Sequence, residues 1–123
     1  FANIGDGRCS LLRQKRAISW LKAARRDFEE FPGGAQEICK AALIVAAEGD
    51  MSDIAKPMKG MGSGVYEIAL KFRGDAFRVI YGVLLGADLW VIHAFKKKSK
   101  TGIKTSRMDI DLIKQRLKQV REI

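Results

Sequence analysis

The chain has 123 residues, 47% of them apolar, with 23 basic against 14 acidic side chains and a net charge of +9. That is one domain with enough apolar surface to build a core, which excludes a disordered tail protein. No run of apolar residues is long enough to span a membrane as a helix, and Cys9 and Cys39 are too few for a disulfide framework, so a reduced, cytoplasmic setting is expected.

Residues 1–15 carry Gly5, Gly7 and mixed polar side chains. They have neither a basic start nor an apolar stretch, so they are expected to be an irregular leader, not a secretory signal, that precedes a single domain over 16–123. Arg16 to Leu21 alternates as a short first strand. Leu21, Ala24, Phe28 and Phe31 then recur at helical spacing, and Pro32-Gly33-Gly34 stops that helix. A second helix is expected from Ala35 to Glu48, burying Ala35, Ile38, Ala42, Val45 and Ala46, and closed by Gly49-Asp50. Residues 50–64 are expected to be a loop.

Three alternating segments follow: Val65 to Phe72, Ala76 to Leu84 and Leu89 to Phe95. The short connections Arg73-Gly74-Asp75 and Gly86-Ala87-Asp88 argue for an antiparallel meander. In the third strand the alternation sets Leu89, Val91, His93 and Phe95 against Trp90, Ile92 and Ala94. Ser106 and Asp109 have capping-box spacing, and Ile110, Ile113, Leu117 and Val120 form the stripe of a last helix. The expected fold is α+β: a small twisted antiparallel sheet with an N-terminal helical hairpin and a C-terminal helix, the helices covering one face.

Charge is concentrated late. Residues 93–123 hold 10 basic and 3 acidic side chains. The partner implied is anionic: nucleic acid, the ribosome or an acidic protein. One histidine and two distant cysteines give no metal-ligand spacing, and no phosphate-loop, dinucleotide or nucleophile-elbow motif occurs, so neither metal nor cofactor is expected. What remains is cationic chemistry. Arg78, inside the apolar run Ala76-Phe77-Arg78-Val79-Ile80-Tyr81, has the planar fork for a phosphate. Arg73 and the run Lys96-Lys97-Lys98 are expected to lie near it as a cluster that clamps a phosphodiester and stabilises charge on phosphorus while the RNA 2′-hydroxyl attacks, or else to be a solvated basic loop. His93 is the side chain suited to proton transfer at neutral pH, or else a structural histidine. Lys59, Lys71, Lys96, Lys98 and Lys100 are expected RNA contacts, and Tyr81 a base-stacking platform or a core residue. Glu67 is the nearest carboxylate in strand order.

The motifs KPMKGMGSGVYEIAL, FRGDAFRVIY, VIHAFKKKSKTGIKT and MDIDLIKQRL, with the opening RAISWLKAARRDFEEFP, resemble those of the phage-derived, HigB-like toxins of the RelE/ParE superfamily. The resemblance implies the toxin of a type II toxin–antitoxin pair, which cleaves messenger RNA on the ribosome and is neutralised by a helix-turn-helix antitoxin. It places Arg78 on the phosphate-binding arginine and Lys97 near a second basic catalytic residue. Where the mRNA-cleaving relatives carry two strand lysines, this chain has Glu67 and Ala69, and their late tyrosine has no counterpart. Alternatives are a gyrase-directed toxin of the same fold and a non-catalytic module that binds antitoxin or RNA. Oligomeric state is not legible.

Overall fold

The computed structural model describes residues 16–83, 87–97 and 106–122. It contains β1 (Ile18–Trp20), α1 (Lys22–Phe28), α2 (Gly33–Ala47), β2 (Ala55–Pro57), β3 (Val65–Phe72), β4 (Asp75–Gly82), β5 (Leu89–Lys97) and α3 (Arg107–Arg121). The sheet order is β1-β5-β4-β3-β2. The α+β class, the helical hairpin, the meander and the last helix agree with the sequence expectation.

The sheet is mixed. Pairs β2–β3, β3–β4 and β4–β5 are antiparallel, but β1 runs parallel to β5, with Ile18 opposite Leu89 and Trp20 opposite Val91. Strands so far apart in sequence carry no turn signal, so their direction is invisible locally. β2 lies in the stretch expected to be a loop. Its three residues (Ala-Lys-Pro) are too few to alternate, and Pro57, lacking an N–H, is tolerated because β2 is an edge strand.

The turn between β3 and β4 follows from local chemistry. Arg73 has φ of 52° and Gly74 of 86°, so both central residues lie in the left-handed region, as a two-residue type I′ hairpin requires.

The helices cover both faces, not one. On the first, α1 and α2 bury Phe28, Phe31, Ala35, Leu43 and Ala46 against Ile68, Leu70, Phe77, Val79, Tyr81 and Val91. On the second, α3 buries Ile113, Leu117 and Val120 against Val65, Ile80 and Ile92. The three long strands β3, β4 and β5 therefore each send side chains into both cores. In α2 the buried stripe is rotated from the expected one: Cys39 and Leu43 are buried while Ile38 is 41% exposed. That helix is apolar nearly all round, so spacing alone fits two adjacent stripes, and packing on the sheet selects one.

The most consequential departure is in β5. Ile80 pairs with His93 but Tyr81 with Val91, so Ile92 is an extra residue and the strand bulges there. Beyond the bulge the alternation changes phase. Ala94 and Lys96 take the α1–α2 side, while His93, Phe95 and Lys97 join Trp90 and Ile92 on the α3 side, contrary to the strict alternation expected from the sequence.

Candidate functional site

The α3 side of the sheet is divided. Where α3 lies on it, the sheet is mainly apolar, with Ile80 and His93 under the helix. Beyond them the cross-strand neighbours are Lys56 and Glu67, then Ala69, Arg78 and Phe95, then Lys71, Ala76 and Lys97. Two of these positions are alanines, so longer charged side chains surround a shallow floor.

Arg78 is the centre of this cationic surface. Its side chain is 12% exposed and that of Glu67 is 9% exposed; Nε of Arg78 stands 3.7 Å from Oε2 of Glu67, and Nη1 donates to the Phe77 carbonyl at 3.3 Å. Oε1 of Glu67 faces Nζ of Lys56 at 3.9 Å. Lys97 Nζ is closed off from solvent with no hydrogen-bond partner among the described residues. Its pKa is lowered, first by lost hydration and then by repulsion from Arg78 and Lys56, with Glu67 acting in the opposite sense. Three cations and one carboxylate thus share a surface on which the Lys97 ammonium has no hydrogen-bond acceptor among the described residues. Phosphodiester oxygens are acceptors of the kind such a group can hold.

The structure sorts the residues singled out from sequence. Arg78 and Lys97 are together, with Lys71 flanking them across Ala76. Arg73 is not with them: its guanidinium carbon sits 5.2 Å from the centre of the Phe72 ring, which packs on the opposite face. Lys96 also takes the opposite face, paired with Asp75 at 3.3 Å. Tyr81 lies in the core, stacked on Tyr66 with ring centres 5.4 Å apart, and burial pushes its hydroxyl up to about 12. It presents no surface to a base. Lys59 is exposed in the connection before β3, at the end remote from Lys71. Lys98 and Lys100 lie outside the described residues, as do the leader and Cys9. Cys39 is buried, its thiol pushed up to about 11 by desolvation, which suits a packing residue and not a nucleophile.

His93 lies buried between β5 and α3. It is 4% exposed; Nη1 of Arg116 donates to Nδ1 at 3.0 Å, and Nε2 lies 2.9 Å from Oδ1 of Asp109. Arginine has no acceptor, so Nδ1 accepts a hydrogen bond from Arg116 and the ring donates Nε2–H to the carboxylate. Asp109 and Arg116 project from one face of α3, and Arg116 also donates to the Ile92 carbonyl at 3.1 Å. The histidine is therefore a polar rivet between β5 and α3.

Glu67, in sequence only the nearest carboxylate in strand order, is the residue to which sequence reasoning gave no role in the site. Its signal was an acidic residue inside an otherwise apolar strand directly across from Lys56; that pairing is visible only once β2 is known to exist. Among the described residues, no group of three or more histidine, cysteine, aspartate or glutamate side chains could hold a metal ion. No helix among them is long and apolar enough to cross a membrane.

A mixed five-stranded sheet with a helical hairpin on one face, one helix on the other and a cationic surface beside that helix defines a small α+β protein. Residues 26–118 match the family model described as phage derived protein Gp49-like (DUF891), and the chain belongs to that family. No curated protein matches it significantly in sequence. Among solved structures, it is similar to an arginine-to-alanine double mutant of the E. coli toxin RelE in the free state, with a TM-score of 0.54 and 18% identity over 71% of this chain and 88% of that one. The RelBE2 toxin–antitoxin complex from Mycobacterium tuberculosis gives a TM-score of 0.48 and 14% identity over 69% of this chain and 94% of that one.

Proposed function

We propose that this protein is a HigB-like toxin of a type II toxin–antitoxin pair, acting in the cytoplasm as a metal-independent, ribosome-dependent mRNA endoribonuclease that blocks translation. The observation that carries the reading is the clustering of Arg78, Lys97 and Glu67 on one face of the sheet. In the scheme these residues support, the Arg78 fork holds the non-bridging oxygens of the scissile phosphate and stabilises the charge that grows there. Glu67 accepts the proton of the 2′-hydroxyl as its oxygen attacks phosphorus. Lys97 gives a proton to the departing 5′-oxygen. The 2′-O–P bond forms as the P–O5′ bond breaks, leaving a cyclic phosphate and a free 5′-hydroxyl. The nucleophile comes from the RNA, so the scheme calls for no metal. A lowered lysine pKa eases that last proton transfer.

The reading also gives the protein a cognate helix-turn-helix antitoxin and places its substrate, translated message, on the ribosome. The test is a cell-free translation reaction with message ends mapped at nucleotide level. Cuts inside translated codons, lost with Arg78→Ala, are the expected result. Intact message at excess protein would overturn the nuclease, and loss of DNA supercoiling under the same conditions would point to a gyrase-directed toxin instead.

A further inference from the structure

A small groove opens between α2 and β1, the outermost strand on that side of the sheet. Ile18, Trp20, Lys40, Leu43 and Ile44 line it, and its volume is about 220 Å³. The lining is apolar apart from Lys40, and Ile44 is left 45% exposed. A cavity of about 150 Å³ takes one benzene-sized group, so this groove suits one or two leucine side chains. The chain enters beside it. The Arg16 N–H donates to the Ala47 carbonyl at 2.8 Å, which sets Arg16 at the C-terminal end of α2, about one turn beyond Ile44. Residues 1–15, outside the described residues, lead into that point. Their closing run, Leu11-Leu12-Arg13-Gln14-Lys15, holds an adjacent leucine pair followed by two cations. Glu48 and Asp50, both exposed, come directly after α2, so carboxylates stand where those cations arrive.

We propose that Leu11 and Leu12 of the same chain fill this groove, with Arg13 and Lys15 set against Glu48 and Asp50. Reach permits it. The four backbone steps from Arg16 to Leu12 span up to about 14 Å, and one helical turn from Ala47 to Ile44 is about 5 Å. Removing the leucines and the exposed part of Ile44 from water drives the contact. The covalent tether gives these leucines a local concentration that a separate partner lacks. Residues 11–15 are then part of the folded unit. The groove lies on the α1–α2 side of the sheet and Arg78 on the other, so this inference and the nuclease reading can fail separately.

The test uses the full chain with Trp90→Phe, which leaves Trp20 as the single tryptophan. Acrylamide quenching then reports how well Trp20 is covered. Leu11→Ser with Leu12→Ser should raise the quenching constant about twofold or more and lower the melting temperature by several degrees. Ile44→Ser reads the same contact from the groove side, and keeps the test readable if the leucine variant fails to fold. A covered Ile44 makes that change destabilising, whereas an open one leaves the melting temperature as it was. Combined with the leucine substitutions, Ile44→Ser should add little further loss. Unchanged quenching in the leucine variant, or unchanged melting with Ile44→Ser, would overturn the proposal. Quenching that falls as protein concentration rises would give the groove to a second copy of the chain, and would overturn it as well.

Discussion

At the scale of single residues, Arg78 and Lys97 both serve cleavage, and Lys97 does so at a cost in stability. Arg78→Ala should cost at least about two orders of magnitude in message cleavage while the circular dichroism spectrum is kept. Lys97 is a cation held without a hydrogen-bond partner, with its pKa lowered in the fold. Because the folded pKa lies below the unfolded one, the unfolded chain holds more of this proton between the two values, and stability rises with pH through that window. Lys97→Met should therefore abolish cleavage, raise the melting temperature at neutral pH by a few degrees, and flatten the pH dependence of urea unfolding on the alkaline side. A lower melting temperature for Lys97→Met would contradict the unpaired-ammonium account. Arg73 is the contrasting case. Its φ of 52° is strained for arginine and comfortable for asparagine, so Arg73→Asn should stabilise by about 0.5–1 kcal/mol and leave cleavage unchanged, as chemical denaturation and the mapped assay would show.

At the scale of elements, the docking of α3 is the weak joint and His93 secures it. His93→Ala removes the partner of both Arg116 and Asp109 inside the interface, at an expected cost of about 2–4 kcal/mol in urea unfolding. The helix start is a separate contribution: Ser106 Oγ accepts from the Asp109 N–H at 3.2 Å and donates to Oδ2 at 2.6 Å. Ser106→Ala should cost about 1 kcal/mol and lower the helicity of α3 without touching the Arg78 cluster. This cap was readable from Ser106-Arg107-Met108-Asp109, because a helix N-terminus is satisfied by near neighbours in sequence. The bulge at Ile92 was not readable. Its extra residue is defined only against β4, and an uninterrupted apolar run gives no mark of the change in phase.

At the scale of the whole molecule, charge is sorted into opposite patches. The face beside α3 carries Lys56, Lys71, Arg78 and Lys97, while the outer edge of β5 carries Asp27, Glu30 and Asp75. If the cationic face alone meets RNA through about three or four phosphates, log affinity for a single strand should fall with log salt at a slope of about −2 to −3, and Lys71→Ala should reduce that slope by less than one. Lys96→Ala should leave the slope unchanged, since Lys96 faces the acidic side. Sequence alone gave the total charge and its excess near the C-terminus, but not this separation, which depends on how adjacent β5 residues divide between faces.

Local spacing in the chain was enough to set the helical hairpin, the meander, the last helix with its serine cap, and the choice of Arg78 as the arginine to watch. Those features follow from contacts a few residues apart, or from one charge breaking an apolar strand. Tertiary structure alone decided that β1 runs parallel to β5, that β2 exists, and that Lys97 stands with Arg78 and Glu67 while Arg73, Lys96 and Tyr81 lie elsewhere. Cross-strand register and a single bulged residue set those groupings, and both are properties of pairs of distant segments that neither segment carries by itself.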